Sequence, residues 1–142
     1  MMIVALDAEA VKALAGADSP QKRRVRQAMT AAGRVGRDVV VPTLVLAELH
    51  RGPHRSQRVE ALLARHEGAI GCRDTDPVLA RIVGGVLHAS SSGSEHMVDA
   101  HVVAVAVEAG GGVVLTGDTG DLERLAGPYR MIIVEGLTTA NG

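Results

Sequence analysis

Five carboxylates stand where a chain alternating between strands and helices would end one element and open the next. Asp7 closes the apolar run Met2–Leu6, and Glu48 sits in the otherwise apolar segment Leu44-Val45-Leu46-Ala47-Glu48-Leu49. Asp99 opens the apolar stretch Val98–Glu108, and Asp118 and Asp121 follow the run Val113–Thr116. Acids crowded together repel, and a proton or a cation relieves the repulsion. Hard divalent ions such as Mg2+ or Mn2+ take oxygen ligands, and one or two carboxylates with water and phosphate oxygens make a common Mg2+ site. Such an ion lowers the pKa of a bound water and stabilises the attacking and leaving oxygens in phosphodiester hydrolysis. No Ser/His/Asp or Cys/His arrangement stands at a comparable position.

Each acid also has a purely structural use. Asp99 suits a helix N-terminus, where a carboxylate is worth ~0.3–1 kcal/mol against the macrodipole. Asp118 with Asp121 three residues on reads as a cap and a first-turn acid, and Asp7 after a strand is ordinary in a turn. Glu48 resists that treatment, because an acid facing an apolar interior needs a partner. Glu60, Glu67, Glu108 and Glu123 lie among polar neighbours and read as solvated helix faces.

The elements that must position these acids are legible as blocks. Met2–Leu6, Asp38–Val41, Ala69–Cys72, Val113–Thr116 and Met131–Val134 are short aliphatic runs, the signature of strands buried on both faces. Between them the spacing predicts helices over Ala8–Gly16, from Ser19-Pro20 to Arg34, and over Thr43–Arg51, which Gly52-Pro53 terminates. Further helices are expected over Ser56–Glu67, over Asp76–His88 with an interruption at Gly84-Gly85, and over Asp121–Ala126. Val98–Glu108 is apolar nearly all round apart from Asp99 and His101, so it predicts a buried helix. Strands alternating with helices imply a parallel sheet covered on both faces, within one α/β domain spanning residues 1–142. In such folds ligands gather beyond the carboxyl ends of the strands, where these acids fall.

Composition narrows the function classes. The 142 residues are 46% hydrophobic but hold no Phe, no Trp and one Tyr, Tyr129. The core must therefore be aliphatic, and base recognition by stacking on aromatic platforms is effectively excluded. The apolar runs fall far short of the about 20 residues that span a bilayer. The N-terminus lacks the basic flank and long apolar region of a signal peptide. The single cysteine, Cys72, cannot form an internal disulfide and is expected in the core; with these features the chain reads as cytoplasmic. The net charge of −1 conceals a division. Gln21–Arg58 carries nine basic residues against two acidic, and the remainder six basic against fourteen acidic. A basic rim around an acidic centre suits a polyanion.

The ordered stretches Ile3-Val4-Ala5-Leu6-Asp7, Val41-Pro42-Thr43-Leu44-Val45-Leu46-Ala47-Glu48-Leu49, Val98-Asp99-Ala100-His101-Val102-Val103-Ala104 and Leu115-Thr116-Gly117-Asp118-Thr119-Gly120-Asp121-Leu122 resemble the PIN domain. Specifically, they resemble the toxin ribonucleases of VapBC-type toxin–antitoxin pairs. The resemblance implies a three-layer α/β/α sandwich around a five-stranded parallel sheet. It also implies Mg2+- or Mn2+-dependent endonucleolytic hydrolysis of RNA by activated water. Asp7, Glu48, Asp99 and Asp118 then match the acidic quartet and Asp121 a fifth acid. Asp7 and Asp99 would be the most direct ligands, and Thr116 a supporting hydroxyl. Arg23, Arg26, Arg51 and Arg55 would guide the RNA backbone by phosphate contacts. A cognate antitoxin and a homodimer or toxin–antitoxin hetero-oligomer are the implied partners. Two positions depart from the family pattern: Ala8 replaces a small hydroxyl residue, and Leu122 an aromatic one.

Other signals carry less. His50 and His54 are separated by Gly52-Pro53 and so do not share a helical face for zinc, and His101 reads as a packed or rim residue. Gly110–Gly112 lacks the Lys-Ser/Thr of a phosphate loop. A haloacid dehalogenase-type phosphatase would need a second Asp where Glu9 stands. A catalytically weakened PIN-fold binding module is the other alternative.

Overall fold

The unbroken aliphatic runs form strands, and the segments with a 3.6-residue apolar period form the helices that cover them. The structure, a computed structural model, describes residues 2–138. Along the chain run β1 (Ile3–Leu6), α1 (Ala8–Ala15), α2 (Pro20–Arg34), β2 (Val39–Pro42), α3 (Thr43–Leu49), α4 (Pro53–Arg65) and β3 (Ile70–Arg73). There follow α5 (Pro77–Ala89), a 3-10 turn (Ser94–His96), α6 (Met97–Glu108), β4 (Gly112–Thr116), α7 (Thr119–Ala126) and β5 (Ile132–Gly136).

The strands form one parallel sheet in the order β3-β2-β1-β4-β5. Helices α1, α2 and α4 pack together on one side, and α5, α6 and α7 on the other, giving the expected three layers. The chain winds outward from β1 through β2 to β3, then crosses back to β4 on the other side of β1. The β1–β4 pair is therefore the switch point of a doubly wound sheet, beyond whose carboxyl ends ligands gather in such folds.

Helix α6 lies along the middle of its layer against β1, β2 and β4, flanked by α5 and α7. Its residues Ala100–Ala106 are all buried, as an all-round apolar helix must be. The core is aliphatic throughout, with Leu6, Leu14, Leu62, Leu79, Leu115, Leu122 and Leu125 almost fully enclosed. Among the described residues no helix is long and apolar enough to cross a membrane.

Several local expectations change. Gly84-Gly85 does not interrupt α5, which runs unbroken from Pro77 to Ala89. Both glycines face solvent, and the buried Leu79, Val83 and Val86 hold the helix despite a propensity cost of ~1 kcal/mol per glycine. Helix α3 stops at Leu49, and Gly52-Pro53 opens α4 instead of closing α3. Gly52 turns the chain at a φ of 88°, and Pro53 supplies the preset first helical residue. Cys72 is exposed, because β3 is the sheet edge and its helical cover thins there. Glu108 is held by Arg73, whose Nε and Nη2 donate to its two carboxylate oxygens at 2.8 Å. The same guanidinium donates to Asp76, the N-cap of α5, tying the start of α5 to the end of α6.

Candidate metal centre

Asp7 is the first residue beyond β1, and its amide donates to the Leu115 carbonyl of β4 at 3.2 Å. Its carboxylate caps α1, Oδ1 accepting from the Ala10 amide at 2.8 Å. A carboxylate has two oxygens, so capping one leaves the second available. The side chain is only 4% exposed. Burial is the main force that lifts its pKa from 3.8 to about 6, with the charges of Asp99 and Glu9 adding to it. The Thr116 hydroxyl and the Ala10 amide act in the opposite direction.

Asp99 lies in the first turn of α6, half-buried. Its pKa is also raised, first by burial and then by the charges of Asp121, Glu48 and Asp118, against the opposing influence of His96. Asp99 is thus within electrostatic reach of Asp7 beyond β1, Glu48 in α3, Asp118 in the β4–α7 connection and Asp121 in α7. Asp118 caps α7, its Oδ1 accepting from the Gly120 amide at 3.2 Å, and its side chain is open to solvent. Thr116 is fully buried; its hydroxyl accepts from the Asp118 amide at 2.9 Å and donates to the Asp118 carbonyl at 3.0 Å. It fixes the turn that presents Asp118. Asp121, in the first turn of α7, is half-buried. Glu48 is exposed: Val45 and Leu46 turn inward from α3 and leave it on the rim.

The tightest grouping includes a residue that the sequence reading passed over. A ring nitrogen of His96 and one carboxylate oxygen each of Asp99 and Asp121 lie within 4.8 Å of one another. The available signal was the spacing of His96 three residues before Asp99, which puts both on one side of the start of α6. Among the described residues, no ion pair neutralises Asp7, Glu48, Asp99, Asp118 or Asp121. Carboxylates that are near one another, partly buried and held in no ion pair fit a hard divalent ion.

The remaining candidates separate. Arg51 lies beside Glu48, its Nε donating to the Glu48 carbonyl at 3.1 Å. Arg55, in the first turn of α4, lines a groove with Lys12, Leu49 and Arg58. Arg23 pairs with Asp18 at 3.6 Å. Arg26 borders a hollow with Arg37, Asp38 and His66, towards the amino end of β2 and away from the acids. His101 is a packing residue: its Nδ1 donates to the Met97 carbonyl at 2.8 Å, and its Nε2 accepts from the Thr75 hydroxyl at 2.9 Å. Ala8 leaves the position after Asp7 without a hydroxyl, and Leu122 is packed into the core.

A doubly wound parallel sheet with acids grouped at its switch point defines the structural class. The PIN domain family model matches residues 4–128, and the chain belongs to that family. Similar solved structures include VapBC2 from Rickettsia felis bound to a DNA fragment from their promoter. That match has 14% identity over 95% of this chain and 98% of the other, with a TM-score of 0.64. DNA-bound VapBC from Salmonella typhimurium matches at 17% identity over 97% of this chain and 100% of the other, with a TM-score of 0.65. No curated protein matches significantly.

Proposed function

We propose that this chain is a divalent-metal-dependent endoribonuclease and the toxin component of a type II toxin–antitoxin pair. The observation that carries the reading is that Asp99 lies within electrostatic reach of Asp7, Glu48, Asp118 and Asp121, with none of the five held in an ion pair among the described residues. Membership of the PIN family supports it, and the likeness to VapBC complexes supports an antitoxin partner.

Asp7, Asp99 and Asp121, with Glu48 and Asp118 at the rim, would hold Mg2+ or Mn2+. When bound, the ion supplies Lewis acidity to a water and to the phosphate oxygens. The protein's own contribution is orientation and charge. Thr116 fixes the Asp118 turn, the α1 cap fixes Asp7, and Arg51 and Arg55 meet backbone phosphates beside Glu48; Arg23, paired with Asp18, and Arg26, towards the opposite end of the sheet, would meet only RNA that continues over α2. In the hydrolysis, a water oxygen bonds to phosphorus and the bond from phosphorus to the 3′ oxygen breaks. That oxygen takes a proton, leaving a 3′-hydroxyl and a 5′-phosphate. The working assembly is a homodimer or a hetero-oligomer with the antitoxin, in the cytoplasm.

Incubation with total RNA tests the reading. Cleavage should require Mg2+ or Mn2+, stop with EDTA, and fall at least about 100-fold in Asp99→Asn, since outer-shell groups alone are worth 10–100-fold. RNA breakage that persists in EDTA, or in Asp99→Asn, overturns it. Binding of RNA or partner without cleavage would indicate an inactive binding module, and hydrolysis of small phosphate esters alone a phosphatase.

A further inference from the structure

A carboxylate-only site offers hard oxygen donors, but here an imidazole stands with Asp99 and Asp121, the three ligand atoms within 4.8 Å. His96 precedes α6 and Asp99 lies in its first turn, so the helix start fixes their relative position. Arg124 Nη2 lies 3.1 Å from His96 Nε2. A guanidinium can only donate, so Nε2 is the acceptor in this contact, and an ion binding that nitrogen would take the place of Arg124. Arg124 also donates to the Ser90 carbonyl at 3.3 Å and to the Ser92 hydroxyl. It therefore keeps partners if an ion takes the imidazole nitrogen. Nitrogen donors raise affinity along the series from Mn2+ towards Co2+ and Zn2+, whereas Mg2+ favours oxygen.

We propose that His96 is a nitrogen ligand to the ion held by Asp99 and Asp121, and that it makes the site select Mn2+ and later first-row ions over Mg2+. The inference rests on the metal-dependent reading above and names the ion class that reading leaves open.

Titration calorimetry of the purified chain with Mn2+ and with Mg2+ separates the two claims. The wild type should bind Mn2+ more tightly than Mg2+. In His96→Ala and His96→Asn, Mn2+ affinity should fall at least about tenfold while Mg2+ affinity changes by less than about threefold. The Asn variant keeps a polar side chain of similar reach, and matching thermal melts of the two variants exclude misfolding. Site-assigned 15N NMR with Zn2+ should shift a His96 ring nitrogen. Unchanged Mn2+ affinity in both His96 variants, with binding lost in Asp99→Asn, overturns the role of His96 and leaves the metal site standing. Failure of the wild type to bind either ion overturns both.

Discussion

Asp7 serves the fold with one oxygen, as the cap of α1, while its burial sets the cost of its charge. Its pKa is about 6 in the folded chain against 3.8 for the free group, so folding takes up protons at this position. Its contribution to stability is therefore greatest below about pH 4 and is lost as pH rises through about 6. Asp7→Asn keeps an acceptor for the Ala10 amide and removes the titration. In EDTA at pH 7.5 it should unfold at higher urea, with a gain on the order of 2–3 kcal/mol that disappears at pH 4. Equal urea midpoints at both pH values would remove burial as the cause. The placement of Asp7, Asp99, Asp118 and Asp121 at element ends was legible from sequence because each closes or opens an aliphatic block, whereas Glu48, expected to face the interior, lies exposed. His96 was not, because its meaning depends on Asp121, which only tertiary structure brings beside it.

Elements were legible where the chemistry of a segment is uniform. Helix α6 is apolar on every side, so its central burial followed from its composition. Where a local signal and tertiary burial compete, burial wins: Gly84-Gly85 remains helical because Leu79, Val83 and Val86 are enclosed. Exposure of Cys72 was not readable, since strand order alone makes β3 an edge. Helix α7 carries Asp121 and is capped by Asp118, and Leu122 (1% exposed) anchors it. Leu122→Ala should lower unfolding free energy by ~2–5 kcal/mol in chemical denaturation. Val35→Ala, at a position 65% exposed, should change it by no more than ~0.5 kcal/mol. If the two variants lost equal stability, anchoring by Leu122 would be refuted.

Across the whole molecule, the charge division seen along the sequence becomes a division in space, but not a simple ring. Arg51 and Arg55 flank the α3–α4 turn next to Glu48, whereas Arg26 sits towards the opposite end of the sheet. If RNA runs over the acidic edge, replacing Arg51 and Arg55 by Ala should reduce the salt dependence of single-stranded RNA binding. Measured in EDTA, the log–log slope should fall by ~1.4, about 0.7 for each phosphate contact. No change in slope would take both arginines off the path, and an equal loss from Arg23→Ala with Arg26→Ala would extend that path across α2. The pairing of β1 with β4 joins residues 3–6 to residues 112–115, about three-quarters of the chain apart. During synthesis, Asp7 and Glu48 emerge long before Asp99, Asp118 and Asp121, and the group is incomplete until the last crossover docks. Whatever chemistry these acids support therefore requires every element from β1 to α7 to have been made and docked.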